Sequence, residues 1–255
     1  MMDKKSDSDE PVYLVIGAYG GVGRELCMRL SKRGARLVIA GRNEDKLNAF
    51  ASTVNAHLVV VDACEYNQVQ EAVNSALSVH GRLDGVASCV GSLILKPAHL
   101  TSVEEWSQTI STNLNSSFAL LKFASKAMMA TGGSIVFVSS AAAKIGLSNH
   151  EAIAAAKAGI EGMARSAAAS YSRQKIRVNC VAPGMIETPL TQSLRANQTQ
   201  FQASIDMHAL GRIASPGEVA SVIDWLLGPE SAFVTGQSIA VDGGLSSVRA
   251  KAAQR

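Results

Sequence analysis

The sequence predicts an α/β fold, namely a single doubly wound parallel sheet of about seven strands with helices on both faces. Two observations carry this prediction. Short apolar runs alternate with helical patterns along nearly the whole chain, from Val12 to Leu245. The first apolar run, Val12 to Ile16, also breaks into a glycine-rich turn that leads directly into a helical pattern. Strands connected through helices in this way lie parallel, and their crossovers are right-handed.

The apolar runs that end at glycine or at polar residues define the strands. They are Val12 to Ile16, Arg36 to Ala40, His57 to Val61, Leu83 to Ser88, Ser134 to Ser139, Lys175 to Val181 and Val234 to Val241. Segments with helical periodicity lie between these runs. They are Val22 to Lys32, Asn43 to Val54, Glu65 to His80, Val103 to Met129, Asn149 to Tyr171 and Pro216 to Leu227.

The composition indicates one large domain and does not indicate a charged partner. Of the 255 residues, 47% are hydrophobic, and 24 Lys and Arg against 21 Asp and Glu leave a net charge of +3. The basic residues are scattered rather than clustered, so no nucleic-acid partner is expected. We predict one domain over residues 11–245, a disordered N-terminal tail over residues 1–10 and a short basic C-terminal tail over residues 246–255.

Several absences in the sequence favour a cytoplasmic protein. The first ten residues are charged and contain no apolar core, so no signal peptide is expected. No apolar run is long enough to span a bilayer, so no membrane partner is expected. The cysteines lack CxxC spacing, which favours reduced core residues over disulfides or metal ligands, and no metal site is expected. These cysteines are Cys27, Cys64, Cys89 and Cys180.

The turn after the first strand carries Gly17, Gly21 and Gly23. At these positions a backbone must turn sharply, approach another group closely and pack a helix against a strand. The helix that follows presents unpaired N–H groups and the positive end of its dipole, which suit a pyrophosphate. The glycines alone fit equally well a turn that binds nothing. The strand before them, the helix after them and the repeated strand–helix units favour a Rossmann-type dinucleotide-binding fold.

The end of the second strand favours NADP over NAD. In dinucleotide-binding units an acidic side chain there holds the ribose hydroxyls of NAD, whereas a nearby arginine accommodates the additional phosphate of NADP. Gly41 occupies the place of the acid, and Arg42 follows it. The alternative is that Arg42 is an ordinary solvated loop residue. Asp62, after the third strand, either accepts a hydrogen bond from the adenine amino group or caps the next helix.

Together, these and further motifs resemble the short-chain dehydrogenase/reductase family over about Val12 to Leu245. In chain order, the matching residues and segments are IGAYGGVG from Ile16, Asp62, SCVG from Ser88, Asn113 in TNLNSSF, Ser140 in IVFVSSAAA, Lys157 in AAAKAG, Pro183 to Thr188 and VTGQSIAVDGG from Val234. The resemblance implies a cofactor site. Its residues are Gly17, Gly21, Val22, Gly23, Arg42, Asp62, Gly91, Lys157, Pro183, Gly184, Ile186 and Thr188. It also implies a homo-oligomer, a dimer or a tetramer, with one interface at the helices around Asn113 and Lys157 and another at the C-terminal VDGG region.

One residue of the family's catalytic set is missing from this chain. The family uses Asn, Ser, Tyr and Lys, with the tyrosine four residues before the lysine, and Ile153 stands at that position. Isoleucine donates no proton, and the loss of a positioned acid costs about 10²–10⁴-fold in rate. The resemblance implies that Lys157 holds the nicotinamide ribose, Asn113 organises a water chain and Ser140 hydrogen-bonds a substrate oxygen. The alternative for Ser140 is a hydroxyl satisfied by the backbone.

His150 and a relayed water are the candidates to replace the tyrosine. His150 lies seven residues before Lys157, so the two residues share a helix face, and related enoyl reductases carry their tyrosine at that offset. An imidazole is a competent proton donor near neutral pH. The alternative is a solvated or capping histidine at the start of the helix. Glu151 is a weaker candidate, because carboxylates are common in the first turn of a helix.

The sequence therefore predicts an NADP-dependent oxidoreductase that acts on a carbonyl or a conjugated double bond of a small molecule. The alternative is a catalytically impaired dinucleotide-binding protein, such as a cofactor sensor, and Ile153 favours it. The segment from residue 185 to residue 210 is predicted to be looser and to form a partly apolar substrate pocket. Its apolar residues are Met185, Leu190, Leu194, Phe201, Met207 and Leu210.

Overall fold

The computed structural model describes residues 10–249. Its strands are β1 (Val12–Ile16), β2 (Arg36–Gly41), β3 (His57–Val60), β4 (Gly85–Ser88), β5 (Gly133–Val138), β6 (Ile176–Pro183) and β7 (Ser238–Val241). They form one seven-stranded sheet in the order β3-β2-β1-β4-β5-β6-β7. Each neighbouring pair of strands is parallel. This arrangement confirms the predicted α/β fold.

Helices cover both faces of the sheet. In the described residues they are α1 (Gly21–Lys32), α2 (Glu44–Val54), α3 (Tyr66–His80), α4 (Val103–Ile110), α5 (Ser116–Ala127), α6 (Glu151–Tyr171), α7 (Gln192–Ala196), α8 (Gln198–Met207) and α9 (Pro216–Leu227). Buried residues of α3, α5 and α6 form the core on one face, and those of α1, α2 and α9 form the core on the other.

The central strand β1 shows why its sequence is continuously apolar. Leu14 and Ile16 belong to the core under α3, α5 and α6, whereas Tyr13 and Val15 belong to the opposite core. Side chains alternate between the two faces of a strand, so a strand covered on both faces buries every side chain. All five residues of β1 are buried.

The strand order reverses at β1, which pairs with β2 on one side and with β4 on the other. The chain therefore leaves β1 toward one half of the sheet and leaves β4 toward the other half. In an open parallel sheet this divergence creates a crevice at the carboxyl ends of the strands, where ligands bind. The glycine-rich turn after β1 lies at this position.

The helix expected from Val103 to Met129 is interrupted. Helix α4 ends at Ile110, a π-helical turn spans Ser111–Asn115, and α5 follows. The side chain of Asn113 donates a hydrogen bond from Nδ2 to the backbone oxygen of Thr109 at 2.9 Å. The side chain of Asn113 thus bonds a backbone oxygen of the preceding helical turn, at the point where the helix widens into the π-helical turn. The periodicity of the sequence does not reveal such a local change.

The segment expected to be loose between residues 185 and 210 contains α7 and α8. Asn197 starts α8, because its Oδ1 accepts a hydrogen bond from the N–H of Gln200 at 3.1 Å. None of the described residues of α8 is buried, and the helix lies on the surface. A helix that contributes nothing to the core has a weak apolar periodicity, which explains why the sequence indicated a loop.

Several predicted boundaries also shift. Strand β7 begins at Ser238 rather than at Val234, because the backbone oxygen of Val234 accepts hydrogen bonds from the side chains of Asn179 and Arg177 instead of a strand neighbour. Strand β4 begins at Gly85 rather than at Leu83. The other predicted strands differ from the observed ones by one or two residues at an end, apart from β1, which matches.

The two predicted tails lie mostly outside the described residues, which exclude positions 1–9 and 250–255. The start of the predicted C-terminal tail is described and is held to the domain. Ser246 donates hydrogen bonds from its backbone and its hydroxyl to the carboxylate of Asp242, and the N–H of Val248 bonds the oxygen of Gly244. The ordered domain therefore extends beyond residue 245.

Two further expectations concern cysteines and membranes. All four cysteines are free in the structure; Cys27 and Cys180 are buried, whereas Cys64 and Cys89 are half-buried. Between residues 10 and 249, no helix combines the length and the apolarity that a membrane crossing requires.

Candidate active site

Close packing explains each glycine of the turn after β1. Gly17 has a positive φ of 82°, and a Cβ there would lie 2.9 Å from the carbonyl carbon of Cys89. A Cβ on Gly21 would lie 2.7 Å from Cγ2 of Thr188, and one on Gly23 would collide with the backbone oxygen of Gly17. The turn thus fits tightly between β4 and the loop after β6, and α1 begins beside the crevice with its N–H groups.

A cavity of about 280 Å³ lies between this turn and the carboxyl ends of β4, β5 and β6. Its wall is largely apolar, with a few polar side chains. The apolar side chains include Val22, Val90, Leu93, Val138, Ile153, Ile186, Pro189 and Leu190. The polar ones include Ser92, Ser139, Ser140, Lys157, Thr188 and Thr191. A small, mostly apolar cavity with a few convergent polar groups is typical of a small-molecule site.

A second cavity of about 160 Å³ adjoins the first along the ends of β1, β2 and β3. The two cavities share Gly20, Cys89, Val90 and Gly91 in their walls. Arg42 and Asp62 line the second cavity, far along the sheet edge from Lys157. The crevice therefore extends from the end of β3 to the loop after β6, which is the path that a dinucleotide follows across such a sheet.

The predicted cofactor residues gather along this crevice. Gly21, Val22, Lys157, Pro183, Gly184, Ile186 and Thr188 line the first cavity, Gly17, Arg42 and Asp62 line the second, and Gly91 lines both. Gly23 lies beneath the turn, against Gly17. Asp62 does not cap α3, whose first turn follows Glu65, and its Oδ1 instead accepts a hydrogen bond from the N–H of Cys64 at 2.9 Å.

Lys157 lies on the inner face of α6 and is 6% exposed. Its Nζ donates a hydrogen bond to the backbone oxygen of Val138 at 2.8 Å. Burial disfavours the charged ammonium and lowers the pKa of Lys157 from 10.5 to about 8. The amine is therefore mostly protonated at neutral pH but gives up its proton far more readily than a surface lysine does.

Asn113 meets Lys157 below the loop that follows β4. Asn113 is fully buried in the π-helical turn, and its Nδ2 also donates to Ser92 Oγ at 3.0 Å. A Cβ on Gly91 would lie 3.2 Å from Asn113 Oδ1 and 3.6 Å from Lys157 Nζ. The side chains of Asn113 and Lys157 thus both lie close to the backbone of Gly91. π-Helical turns are frequent at functional sites.

Ser140 follows β5 and lines the cavity opposite the glycine-rich turn. Its Oγ accepts a hydrogen bond from the N–H of Ala142 at 3.2 Å. This contact uses a lone pair of the oxygen, so the hydroxyl proton can be donated to a ligand. Ile153 lies one turn before Lys157 on α6, is 3% exposed and forms part of the same wall. An apolar side chain therefore stands where the resemblance places the tyrosine.

His150 lies at the N-cap position of α6, outside the described walls of the two cavities. Its Nδ1 is 2.8 Å from the backbone oxygen of Ser148, and the ring does not cap the helix. Glu151 is exposed in the first turn of α6. Of the two residues proposed from the start of this helix, neither borders the cavity as Ser140 and Lys157 do.

The sequence predicted that the segment before α9 forms the substrate pocket. In the structure, some apolar residues of this segment line two separate cavities. Leu190 and its neighbour Pro189 line the cavity next to Ile153. Met185 and Leu210 line a separate cavity beside His208, and Met207 is exposed.

Further buried or half-buried polar side chains near the site were not selected from the sequence. His208 accepts a hydrogen bond at Nε2 from the N–H of Met185 at 3.1 Å, which ties α8 to the loop after β6. Glu161 accepts hydrogen bonds from Ser139 at 2.9 Å and from Ser238 at 2.6 Å. Tyr19 lines the second cavity. In the sequence, only the position of Tyr19 inside the glycine-rich turn could have indicated a role.

The glycine-rich turn, the reversal of strand order and the crevice beside it define a dinucleotide-binding α/β protein. Comparisons with known proteins make the class more specific. Residues 17–246 match the family model described as enoyl-(acyl carrier protein) reductase. The chain is 35% identical over 251 residues to a tropinone reductase homolog of Arabidopsis thaliana, covering 96% of this chain and 95% of that protein. It is also 35% identical over 246 residues to trans-4-hydroxycyclohexanecarboxylate dehydrogenase of Sinomonas cyclohexanicum, covering 92% of each.

Solved structures agree with these relatives. A short-chain type dehydrogenase/reductase from Mycobacterium ulcerans superposes with a TM-score of 0.90 at 30% identity, covering 94% of this chain and 91% of that one. An actinorhodin polyketide ketoreductase solved with NADPH superposes with a TM-score of 0.89 at 28% identity, covering 94% and 99%. The chain belongs to the short-chain dehydrogenase/reductase family, whose members use nicotinamide dinucleotides. Its relatives are named as dehydrogenases and reductases, which supports an oxidoreductase over an impaired binding protein.

Proposed function

We propose that this protein is an NADP(H)-dependent reductase of a small carbonyl compound or a conjugated double bond, with a proton donor other than tyrosine. The observation that carries the proposal is the cavity in which Ser140 and Lys157 face an apolar wall at the sheet's carboxyl edge. Cyclic ketones are the first substrates to consider. Relatives are named for hydroxycyclohexanecarboxylate and cyclohexanol.

The chain's own residues fit a bound NADP. The glycines after β1 leave a backbone surface beside the start of α1, suited to the pyrophosphate. Arg42 lines the second cavity, and no acidic side chain stands at the end of β2, where Gly41 is the last residue. An arginine without that acid accommodates the phosphate of NADP. A neighbouring structure of the same family, the polyketide ketoreductase, was solved with NADPH.

When bound, the nicotinamide supplies the hydride, and the residues of the cavity handle the oxygen and the proton. The Ser140 hydroxyl donates a hydrogen bond to the carbonyl oxygen of the substrate and stabilises the negative charge that develops there. A proton then passes to this oxygen. Apolar side chains such as Ile153 and Leu190 exclude bulk water around the reacting carbon.

The donor that best fits the cavity is Lys157, acting directly or through a water. Its ammonium lies in the cavity wall, and burial lowers its pKa to about 8, which suits a donor near neutral pH. The other titratable residue described in that wall, Cys89, has its pKa raised to about 12 by burial. The neutral amine regains its proton through water next to Asn113. His150 is the competing proposal, and it requires a movement that brings its ring into the cavity.

The first test follows NADPH binding and NADPH oxidation by fluorescence, against a panel of cyclic ketones, quinones and enoyl or dienoyl thioesters. We expect turnover of at least one class. Ser140→Ala should lower kcat about 10²-fold with little change in the Kd for NADPH, since it removes a donor to the developing charge. Ser166→Ala, at an exposed serine of α6, is the matched control and should behave as wild type.

His150→Ala distinguishes the two proposed donors in the same assay. With Lys157 as donor, His150→Ala retains kcat within about threefold, whereas His150 as donor predicts a loss of about 10²–10⁴-fold. Tight NADPH binding without turnover across the whole panel would contradict the reductase proposal. It would instead support the impaired dinucleotide-binding protein.

We also propose that the protein is a homo-oligomer located in the cytoplasm. Exposed apolar side chains on the helices near Asn113 support the oligomer, and they include Trp106 and Phe118, which are 43% and 45% exposed. Aromatic side chains are enriched at interfaces between protein chains.

A further inference from the structure

Tyr19 lies in the glycine-rich turn, and the proposed chemistry gives it no role. Its ring packs directly on the end of β2. A Cβ built on Gly41 would lie 2.5 Å from Tyr19 Cε1 and 3.1 Å from Cδ1, and Gly41 is buried. Gly41 does not have the positive φ that favours glycine. With the aromatic ring in this position, the ring, rather than the backbone conformation, leaves no room for a Cβ at position 41.

Two contacts with the start of α2 hold the ring in this position. The hydroxyl of Tyr19 accepts a hydrogen bond from the N–H of Asn43 at 3.3 Å, and Lys46 Nζ lies 5.9 Å from the ring centroid. Asn43 in turn caps α2, because its Oδ1 accepts a hydrogen bond from the N–H of Lys46 at 2.8 Å. The ring thus bridges the turn after β1 and the start of α2.

The position that the ring protects is the one that separates the two nicotinamide cofactors. In dinucleotide-binding units, the acid at the end of the second strand binds the ribose hydroxyls of NAD and repels the additional phosphate of NADP. In this chain, an acid at position 41 and the ring of Tyr19 would occupy the same space. Arg42 lines the same cavity as Tyr19 and Gly41.

We infer that Tyr19 is a specificity-determining residue, whose ring excludes an acidic side chain from position 41 and so keeps the cavity beside Arg42 open to the phosphate of NADP. This inference rests on the proposed NADP preference. It implies that the cofactor preference is set by two residues together. Replacing Gly41 alone does not create an NAD site, because the new side chain has no room.

A double-mutant cycle tests the inference by binding and by stability. The variants are Gly41→Asp, Tyr19→Ala and the double variant Tyr19→Ala/Gly41→Asp, with Tyr19→Phe as a control that keeps the ring and loses only the hydrogen bond from Asn43. Each is titrated with NADPH and with NADH by fluorescence, and its melting temperature is measured without cofactor. The cycle is repeated with Gly41→Ala, which adds the same Cβ without charge and guards against a Gly41→Asp protein that fails to fold.

We expect wild type and Tyr19→Phe to bind NADPH at least about tenfold more tightly than NADH. Gly41→Asp should gain no NADH affinity, and both single substitutions at position 41 should lower the melting temperature by about 4 °C or more. In the Tyr19→Ala background, the same substitutions should cost less than about 1 °C. The double variant with aspartate should prefer NADH.

Different results overturn different parts of the proposal. If Gly41→Asp alone gains as much NADH affinity as the double variant, the ring does not exclude the acid and the inference is wrong. Additive melting temperatures in the Gly41→Ala cycle overturn it as well, whatever the cofactor preference is. If wild type binds NADH as tightly as NADPH, the proposed NADP preference is wrong, and Tyr19 then has no preference to determine.

Discussion

Ile153 is the residue that most affects how this site can work. It forms part of the cavity wall one helical turn before Lys157, and it is 3% exposed. In the family resemblance this position holds the tyrosine that donates the proton, its pKa lowered by the neighbouring ammonium. Because the side chain here is apolar, Lys157, with a pKa of about 8, is the described residue of the cavity wall that can donate a proton near neutral pH. The proposal of a proton donor other than tyrosine depends on the presence of isoleucine at position 153.

Restoring the tyrosine tests that dependence. Ile153→Tyr places a phenol on the cavity wall next to the ammonium of Lys157, whose charge favours the phenolate and lowers its pKa. A positioned acid contributes about 10²–10⁴-fold, so we expect kcat for a ketone substrate to rise by about tenfold or more. Steady-state kinetics with a substrate identified from the panel measure this.

Ile153→Phe is the control, because it adds the ring without the hydroxyl. It should show no gain. Equal rates for Ile153→Tyr and wild type, with NADPH binding retained in both, would indicate that the present donor is already as effective as the missing tyrosine.

The pH dependence follows from the lowered pKa of Lys157. The ammonium is present below pH 8 and is lost as the pH rises through the folded pKa of about 8. Both proton donation and the attraction of an anionic cofactor need the charged form. We therefore expect kcat/KM to be level below pH 8 and to fall about tenfold per pH unit above it.

Lys157→Arg provides the comparison for this profile, because a guanidinium stays charged throughout the range. In that variant the fall above pH 8 should disappear, even where the absolute rate is lower. A fall at lower pH that His150→Ala abolishes would instead identify His150 as the donor.

From the sequence alone, the turn after β1 could be predicted, whereas the contacts around its residues could not. The spacing of Gly17, Gly21 and Gly23 predicts the turn, because a side chain at any of these positions would clash with neighbouring atoms. Such positions require glycine, and glycine is visible in the sequence. The contact between Tyr19 and Gly41 joins the turn after β1 to the end of β2, and helix α1 lies between them in the chain. No local pattern records such a contact, so it had to be found in the structure.

At the scale of secondary structure, the interrupted helix around Asn113 is the element that organises the site. The π-helical turn Ser111–Asn115 buries Asn113 completely and lets its amide reach both Thr109 and Ser92. A regular helix would place the following residues about 100° apart around its axis and would turn some of them away from Lys157. The π-helical turn thus places the side-chain amide of Asn113 next to Ser92, in the loop after β4.

Removing the amide should therefore cost stability as well as activity. Asn113→Ala leaves the buried oxygen of Thr109 and the hydroxyl of Ser92 without this partner, and we expect a loss of about 2 kcal/mol in the free energy of unfolding. Urea denaturation measures the loss. Asn115→Ala, at an exposed position of the same turn, is the control and should cost less than about 0.5 kcal/mol. Equal losses in both variants would show that Asn113 has no special role in the turn.

The elements that the sequence predicted well are the ones whose periodicity is set by the core. Helix α9 has the predicted bounds, because its buried residues pack against α1 and the sheet. Helix α8 buries none of its described residues and was expected to be a loop. Burial creates periodicity, and a surface helix capped by Asn197 carries too little of it to be distinguished from a loop.

At the scale of the whole molecule, the parallel sheet collects on one edge residues that lie far apart in the chain. Gly17 after β1, Gly91 after β4, Ser140 after β5 and Gly184 after β6 all reach the same crevice. The sequence predicted a doubly wound parallel sheet with right-handed crossovers, and the structure shows the strand order that brings these residues together. The fold does not explain why some large apolar side chains remain exposed on the surface.

One exposed apolar face lies on α5 and offers a contact surface for a homo-oligomer. Phe118 on α5 is 45% exposed and contacts Tyr66, which is 36% exposed, with 6.3 Å between the ring centroids. Such rings are stabilised when a second copy covers them. In a homo-oligomer that uses this face, Phe118→Asp buries an unpaired charge in each interface and should shift the protein to a smaller species.

Light scattering coupled to gel filtration gives the mass of each variant. Val60→Asp is the matched control, because Val60 is 43% exposed at the end of the edge strand β3 rather than on α5. It should leave the mass unchanged. A monomeric wild type would contradict the homo-oligomer, and an unchanged mass for Phe118→Asp would place the interface on another face. Because α5 follows the π-helical turn around Asn113, a smaller species that also loses activity would link the assembly to the order of the site.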